Sequence, residues 1–196
     1  MSPMPTERYR LIESIEDCPD DIRAMMLAVQ EKSGFVPNVF LMLARRPAEF
    51  RAFFAYHDAL MLREGGLSKA EREMIVVATS AANHCLYCVV AHGAILRIYR
   101  KDPLIADHLA TNWRKAVLSA RERAMLEFAV KVATESHSLV DRDHDALTEQ
   151  GFSSEDIWDI GAIAAFFALS NRLANFTGMM PNPEFHLLGR IPRPAR

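Results

Sequence analysis

Residues 67–97, LSKAEREMIVVATSAANHCLYCVVAHGAILR, decide the fold class of this chain. Ser68 followed by Glu71 is a capping-box pair, in which a hydroxyl and a carboxylate take up N–H groups that the first turn of a helix leaves unpaired. The apolar residues beyond it recur at helical rather than alternating spacing, so a helix is expected from Ser68 to about Asn83. A second is expected from about Cys85 to Tyr99, ending before Pro103, which cannot continue one. If the chain reverses near His84, the two helices run antiparallel as a hairpin.

Both flanks of the hairpin read the same way. Pro19–Lys32 is amphipathic and closes at Ser33, Gly34 and Pro37, while Pro47 suits the first turn of a helix that runs to about Leu62 and stops at Gly65 and Gly66. Ser119 and Glu122 repeat the capping box and open a helix to about Glu135. Asp141–Gln150, ended by Gly151, and Ser153–Phe176, ended by Gly178, follow. No segment alternates as a strand would. The expected architecture is an all-α helical bundle of about seven to nine helices in one domain, 1–196. Within it lie an N-terminal helical extension (1–66), a core (67–180) and a proline-rich tail (181–196). Pro181, Pro183, Pro192 and Pro194 should keep the tail extended, and Phe185, Leu187, Leu188 and Ile191 predict that it wraps a neighbouring subunit. Trp158, Phe166 and Phe167 sit on a nearly uniform apolar helix, central or buried in an oligomer, with Asn171 and Arg172 as structural hydrogen bonders.

A shift of 51 residues aligns Ser68 with Ser119, Glu71 with Glu122, Met74 with Met125 and Ala78 with Ala129. Either two capped helices share a start signal or a helical hairpin is duplicated. In the second case thiol chemistry belongs to the first copy, because Ser136 and Leu139 stand where it has Cys85 and Cys88.

Composition narrows the function classes. At 196 residues, 50% hydrophobic and 24% charged, the chain can bury a sizeable core and is no disordered tail. A formal net charge of −2 gives no electrostatic reason to expect nucleic acid or a membrane surface as partner. Three cysteines are too few for a secreted disulfide framework. Met1–Arg10 has no apolar core of a signal peptide, and the longest apolar run, Gly161–Leu169, is about half a membrane span. The expected location is the cytoplasm.

The chemistry concentrates in Glu73, Cys85, Cys88 and His92. Cys85, Cys88 and His92 lie at i, i+3 and i+7, on one helical face. The cysteines fall in the first turn, where unpaired N–H groups and the macrodipole favour an anion, so at least one thiol should be acidified. A CxxC pair at this spacing can cycle between dithiol and disulfide within one helical turn. In an antiparallel hairpin Glu73 lies ~16 Å back from the turn and His92 ~12 Å beyond it, so carboxylate and imidazole reach the same level. A carboxylate orienting an imidazole that exchanges protons with a thiol is what a cysteine nucleophile needs. Read from the residues alone, metal binding stays open beside redox, with Cys85, Cys88 and His92 as ligands and Glu73 or His84 as a fourth. Buried structural thiols are the third reading. Cys18, among Glu16, Asp17 and Asp20, is assigned no role.

The pattern Glu-x11-Cys-x2-Cys-x3-His resembles the active-site motif of the alkylhydroperoxidase D-like proteins of the carboxymuconolactone decarboxylase superfamily. The whole chain is most similar to the branch of uncharacterised peroxidase-related enzymes. The resemblance is strongest over 67–97 and extends loosely to about Gly178. It implies an all-α homo-oligomer, trimer or hexamer, and an oxidoreductase that reduces organic hydroperoxides or hydrogen peroxide without metal or other cofactor. Cys88 then corresponds to the peroxidatic cysteine and Cys85 to the resolving one. Glu73 and His92 match the proton relay, and the electron donor is a dithiol such as a lipoyl or thioredoxin-like protein. One position departs: where characterised members carry a histidine just before the second cysteine, this chain has Tyr87, a poor base at neutral pH. His84, beside Cys85, is the candidate substitute. Two rivals remain, a carboxymuconolactone decarboxylase-like lyase, against which the thiol pair argues, and a non-enzymatic metal-binding or disulfide-sensing oligomer.

Overall fold

The computed structural model describes residues 9–190. Among them are nine α-helices and no strand: α1 (Asp20–Ser33), α2 (Asn38–Leu43), α3 (Pro47–Met61), α4 (Lys69–Ala82), α5 (Leu86–Arg100), α6 (Ile105–Asn112), α7 (Ala120–Glu135), α8 (Asp141–Glu149) and α9 (Ser154–Thr177). The seven expected helices are present with ends shifted by a residue or so. Short α2, between two prolines, and α6, just after Pro103, lie outside the expected set because a helix of two turns shows too little periodicity to read.

Helix α4 is the axis of the bundle. Nine consecutive residues, Arg72 to Ser80, are buried, because α5, α6, α7 and α9 all pack against it. A helix enclosed this way must satisfy every polar group it carries. Thr79 returns its hydroxyl to the Ile75 carbonyl at 2.8 Å. Arg72 reaches Asp159 of α9 at 3.3 Å, and that carboxylate also accepts from Arg63 at 3.0 Å. Both Glu-based capping boxes form as expected, and a third, Ser153 with Asp156, opens α9.

By length and composition α9 could cross a membrane, with an 18-residue window of mean hydropathy 1.2. Half of that window is buried in the fold, as in a core helix. Phe166 and Phe167 point inward, whereas Trp158 is 70% exposed. Helices α1 to α3 build a separate apolar cluster around Ile22, Met26, Phe40, Phe50 and Phe54. Phe53 of α3 meets Phe166 of α9 at a ring distance of 4.8 Å, so this layer lies on the bundle. Its Phe35 and Met42 also join the cluster that holds Cys85 and Cys88. The segment read as an extension therefore reaches the thiols.

The tail corrects an expectation. Residues Pro183–His186 form a 3-10 turn, and Phe185 is buried within its own subunit, edge-on to Phe35 at 4.9 Å. Arg97 of α5 holds the turn by donating to the Leu188 carbonyl at 2.9 Å and the Phe185 carbonyl at 2.8 Å. Gly189, at φ +75°, fits because a Cβ there would come within 2.7 Å of the Arg97 Cβ. The apolar side chains that suggested a neighbouring subunit, Phe185 and Leu188, are covered by the chain's own α5 side, and only Leu187 stays exposed. Ile191 lies outside the described residues.

Candidate active site

The chain crosses from α4 to α5 in three residues. The His84 N–H bonds the Ala81 carbonyl at 3.0 Å and the Cys85 N–H bonds the Ser80 carbonyl at 2.9 Å. This is the crossed closure that ends a helix through one left-handed residue. His84 is that residue, at φ +54°, and its side chain is exposed. Its backbone makes the reversal of the chain.

The closure makes Cys85 the N-cap of α5, with its Sγ accepting from the Cys88 N–H at 3.3 Å. Both thiols are free and buried. Two residues of α9 face them. The Ser170 Oγ lies 3.9 Å from the Cys88 Sγ. Asn171, fully buried, donates to the Ser80 Oγ at 2.9 Å and accepts from the Asn83 amide at 3.0 Å. Its side chain also acts on both thiols, in the direction that lowers their pKa. The Cys85 thiol is lowered to about 7, first because the Cys88 thiol donates to it, with the Cys88 N–H, Asn171 and His92 adding and burial opposing. Cys88 is pushed well above its ordinary value by that same hydrogen bond and by burial. Within the pair this hydrogen bond favours the thiolate on Cys85 over that on Cys88. The resemblance assigns attack to Cys88, the thiol that this hydrogen bond disfavours as a thiolate.

Glu73 and His92 meet as the hairpin spacing requires, with His92 Nδ1 2.8 Å from a Glu73 carboxylate oxygen. Phe167 packs edge-on against the imidazole at 4.7 Å. A carboxylate on Nδ1 fixes that nitrogen as the donor and leaves Nε2 to exchange protons. A second imidazole, His57 of α3, also lies edge-on to Phe167, at 6.4 Å. It is bonded to Asp58 at 2.9 Å, and burial pushes it below its ordinary range while the charges of His92 and Glu73 act on it. No spacing in the sequence pointed to His57, which comes from a helix outside the motif.

Tyr87 is a tie between helices. Its buried hydroxyl accepts from the Val39 N–H at 3.1 Å, joining α5 to α2. Burial raises its pKa, which keeps the phenol protonated and excludes it as a base. Cys18 lies away from the pair in the α1 cluster, its thiol raised by burial and by Asp17. Among the described residues no three His, Cys, Asp or Glu side chains converge closely enough to hold a metal ion. The donor set considered above is divided into a thiol pair and a carboxylate–imidazole pair.

A family model described as the carboxymuconolactone decarboxylase family matches residues 47–103, from the start of α3 past the end of α5. The chain is 64% identical to an alkylhydroperoxidase AhpD core, uncharacterised peroxidase-related protein from Ralstonia eutropha JMP134. That match covers 94% of this chain and 97% of the other, with a TM-score of 0.92. An uncharacterised peroxidase-related protein from Silicibacter sp. TM1040 is 41% identical over 97% of each chain, with a TM-score of 0.89. A debrominase shares the fold at 18% identity and a TM-score of 0.73, over 91% of this chain and 94% of its own. No protein of curated function matches.

Proposed function

This chain belongs to the alkylhydroperoxidase D-like, peroxidase-related proteins of the carboxymuconolactone decarboxylase superfamily, and from that premise we propose that it is a thiol peroxidase cycling through Cys85 and Cys88. The observation that carries the reading is a buried, free thiol pair at the head of α5 beside an imidazole held by a carboxylate at 2.8 Å. The thiol pair argues against the decarboxylase-like alternative.

In the proposed cycle the Cys85 thiolate takes the proton of the Cys88 thiol along their shared hydrogen bond. The Cys88 sulfur attacks the terminal oxygen of the hydroperoxide, an S–O bond forms as O–O breaks, and the alkoxide leaves with a proton delivered through His92. Cys88 is then a sulfenic acid. Cys85 attacks its sulfur, water leaves, and the disulfide remains. Each turn converts one hydroperoxide and two thiols into an alcohol, water and a disulfide, which an external dithiol such as a lipoyl or thioredoxin-like protein reduces. The reaction needs no metal or organic cofactor. We further expect a cytoplasmic homo-oligomer that covers Trp158 and Leu169, which share one exposed face of α9.

The test is intact mass under denaturing conditions, before and after one equivalent of cumene hydroperoxide. Wild type should lose two hydrogens, mapping to Cys85–Cys88 and restored by a dithiol. Cys85→Ser should stop at a sulfenic acid on Cys88, and Cys88→Ser should not react. An unchanged wild-type mass would overturn the proposal, and a sulfenic acid on Cys85 in Cys88→Ser would exchange the two roles.

A further inference from the structure

A cavity of about 190 Å³ lies between α2, α3 and α9. Its lining includes buried Ser170, whose hydroxyl stands 3.9 Å from the Cys88 sulfur, and neither cysteine is itself part of the wall. Its walls are apolar side chains, Met42, Phe53 and Leu173 among them, and its rim carries exposed Arg45, Arg46 and Glu49. The α2 wall is fastened to the thiol helix through the Val39–Tyr87 hydrogen bond at 3.1 Å. Cavity and thiol pair are therefore neighbours that meet at Ser170.

The two ends of the cavity differ. Arg46 is paired with Glu49. Arg45 has no carboxylate partner among the described residues and lies over the Tyr9 ring at 5.6 Å. An exposed guanidinium at the rim of an apolar pocket suits a carboxylate. The volume sets the middle: an apolar cavity of about 150 Å³ accommodates benzene, so this one takes a single ring with short branches and cannot swallow a long acyl chain. Hydrogen peroxide would touch none of these walls.

We infer that this cavity binds the body of the substrate, and that the substrate is a compact aryl or branched-alkyl hydroperoxide with an anionic group at the end remote from the peroxide. The peroxide end lies at Ser170 against Cys88, and the anion lies at Arg45. This inference rests on the peroxidase reading above for the identity of the reacting group.

Two unreactive probes, 4-isopropylbenzoate and its neutral amide, separate the parts by titration calorimetry on the full chain. The carboxylate should bind reduced wild type about tenfold more tightly than the amide, and Arg45→Ala should erase that preference. Leu173→Trp fills the cavity, and the ratio of kcat/KM for cumene hydroperoxide over hydrogen peroxide should fall by about tenfold or more. Leu43→Trp, from the α2 wall, repeats the test should the first variant fail to fold. Absence of binding by both probes, or an unchanged ratio, overturns the inference while peroxide-driven disulfide formation leaves the peroxidase reading intact. Carboxylate binding without disulfide formation by any peroxide sinks the peroxidase reading, and the hydroperoxide part of this inference with it.

Discussion

Helices α4–α5 and α7–α8 begin alike and diverge in what they carry. Each pair opens on a serine–glutamate box, and the two starts lie side by side, joined by an ion pair between Glu71 and Arg121. Beyond the boxes, Glu73, Cys85, Cys88 and His92 of the first pair stand where the second has Ala124, Ser136, Leu139 and Asp143. The two carboxylates show the difference. Glu73 is buried and holds an imidazole at 2.8 Å, whereas Asp143 holds Lys131 at 2.7 Å nearer the solvent. Capping determines where a helix starts and nothing of what it does. Chemistry enters where polar groups are forced inside and must find each other.

Removing each carboxylate breaks that comparison open, and the expected effects are far apart. Glu73→Ala leaves the His92 ring without its orienting partner, and turnover of cumene hydroperoxide should fall by about a hundredfold, the low end of what positioned acid–base catalysis supplies. Asp143→Ala removes a surface ion pair at a helix start, and turnover should stay within twofold of wild type. Equal losses in the two variants would mean that the Glu73–His92 pair is structural. Measuring kcat and KM for both in one assay decides it.

A smaller effect is expected from Asn171, which has no counterpart beside α7–α8. Only the thiolate is alkylated, so the rate of iodoacetamide labelling of the pair should rise through an inflection at about pH 7, the value to which Cys85 is lowered. Below that pH the pair is neutral and slow; above it one thiolate reacts. Asn171→Ala takes away a side chain that lowers that thiol, and the inflection should move up. The same change strands the Ser80 hydroxyl and the Asn83 amide inside the protein, costing about 1–3 kcal/mol in urea unfolding. A loss of stability with no movement of the inflection would make Asn171 a packing residue only.

These residues also mark how far the sequence can be read. The hairpin was legible because helical spacing alone brings Glu73 level with His92 and puts the thiols in a first turn. Ser170 and Asn171 come from a helix 82 and 88 positions away from the partners they meet, Cys88 and Asn83. In the sequence they are merely polar residues on an apolar run, and the structural hydrogen bonding expected of Asn171 is present but extends to the thiols. His57 and the cavity depend on how α1 to α3 lie on α9, which no local pattern encodes. The tail was misjudged for a related reason. Arg97 reads as one more cation near the end of a helix, but its side chain turns inward and supplies the donors that fold residues 183–188 onto the same subunit.

The smallest effect tests the likeness rather than the difference. In the first box the backbone N–H of Ser68 reaches Glu71 at 2.8 Å and the return bond is 3.2 Å; in the second the values are 2.8 Å and 3.1 Å. Matched geometry predicts matched energy, so Ser68→Ala and Ser119→Ala should each cost about 1 kcal/mol, as loss of a serine cap does elsewhere. Both should lower the urea midpoint without changing the slope, because neither alters the surface exposed on unfolding. The surroundings pull in different directions: Glu71 is tied to Arg121, and Glu122 to Arg100 at 3.0 Å. If one substitution costs more than twice the other, the difference comes from these cross-helix charges, and the two starts are equivalent only in sequence. If the costs agree, the boxes act locally, and everything that separates the two helix pairs lies in the residues they bury.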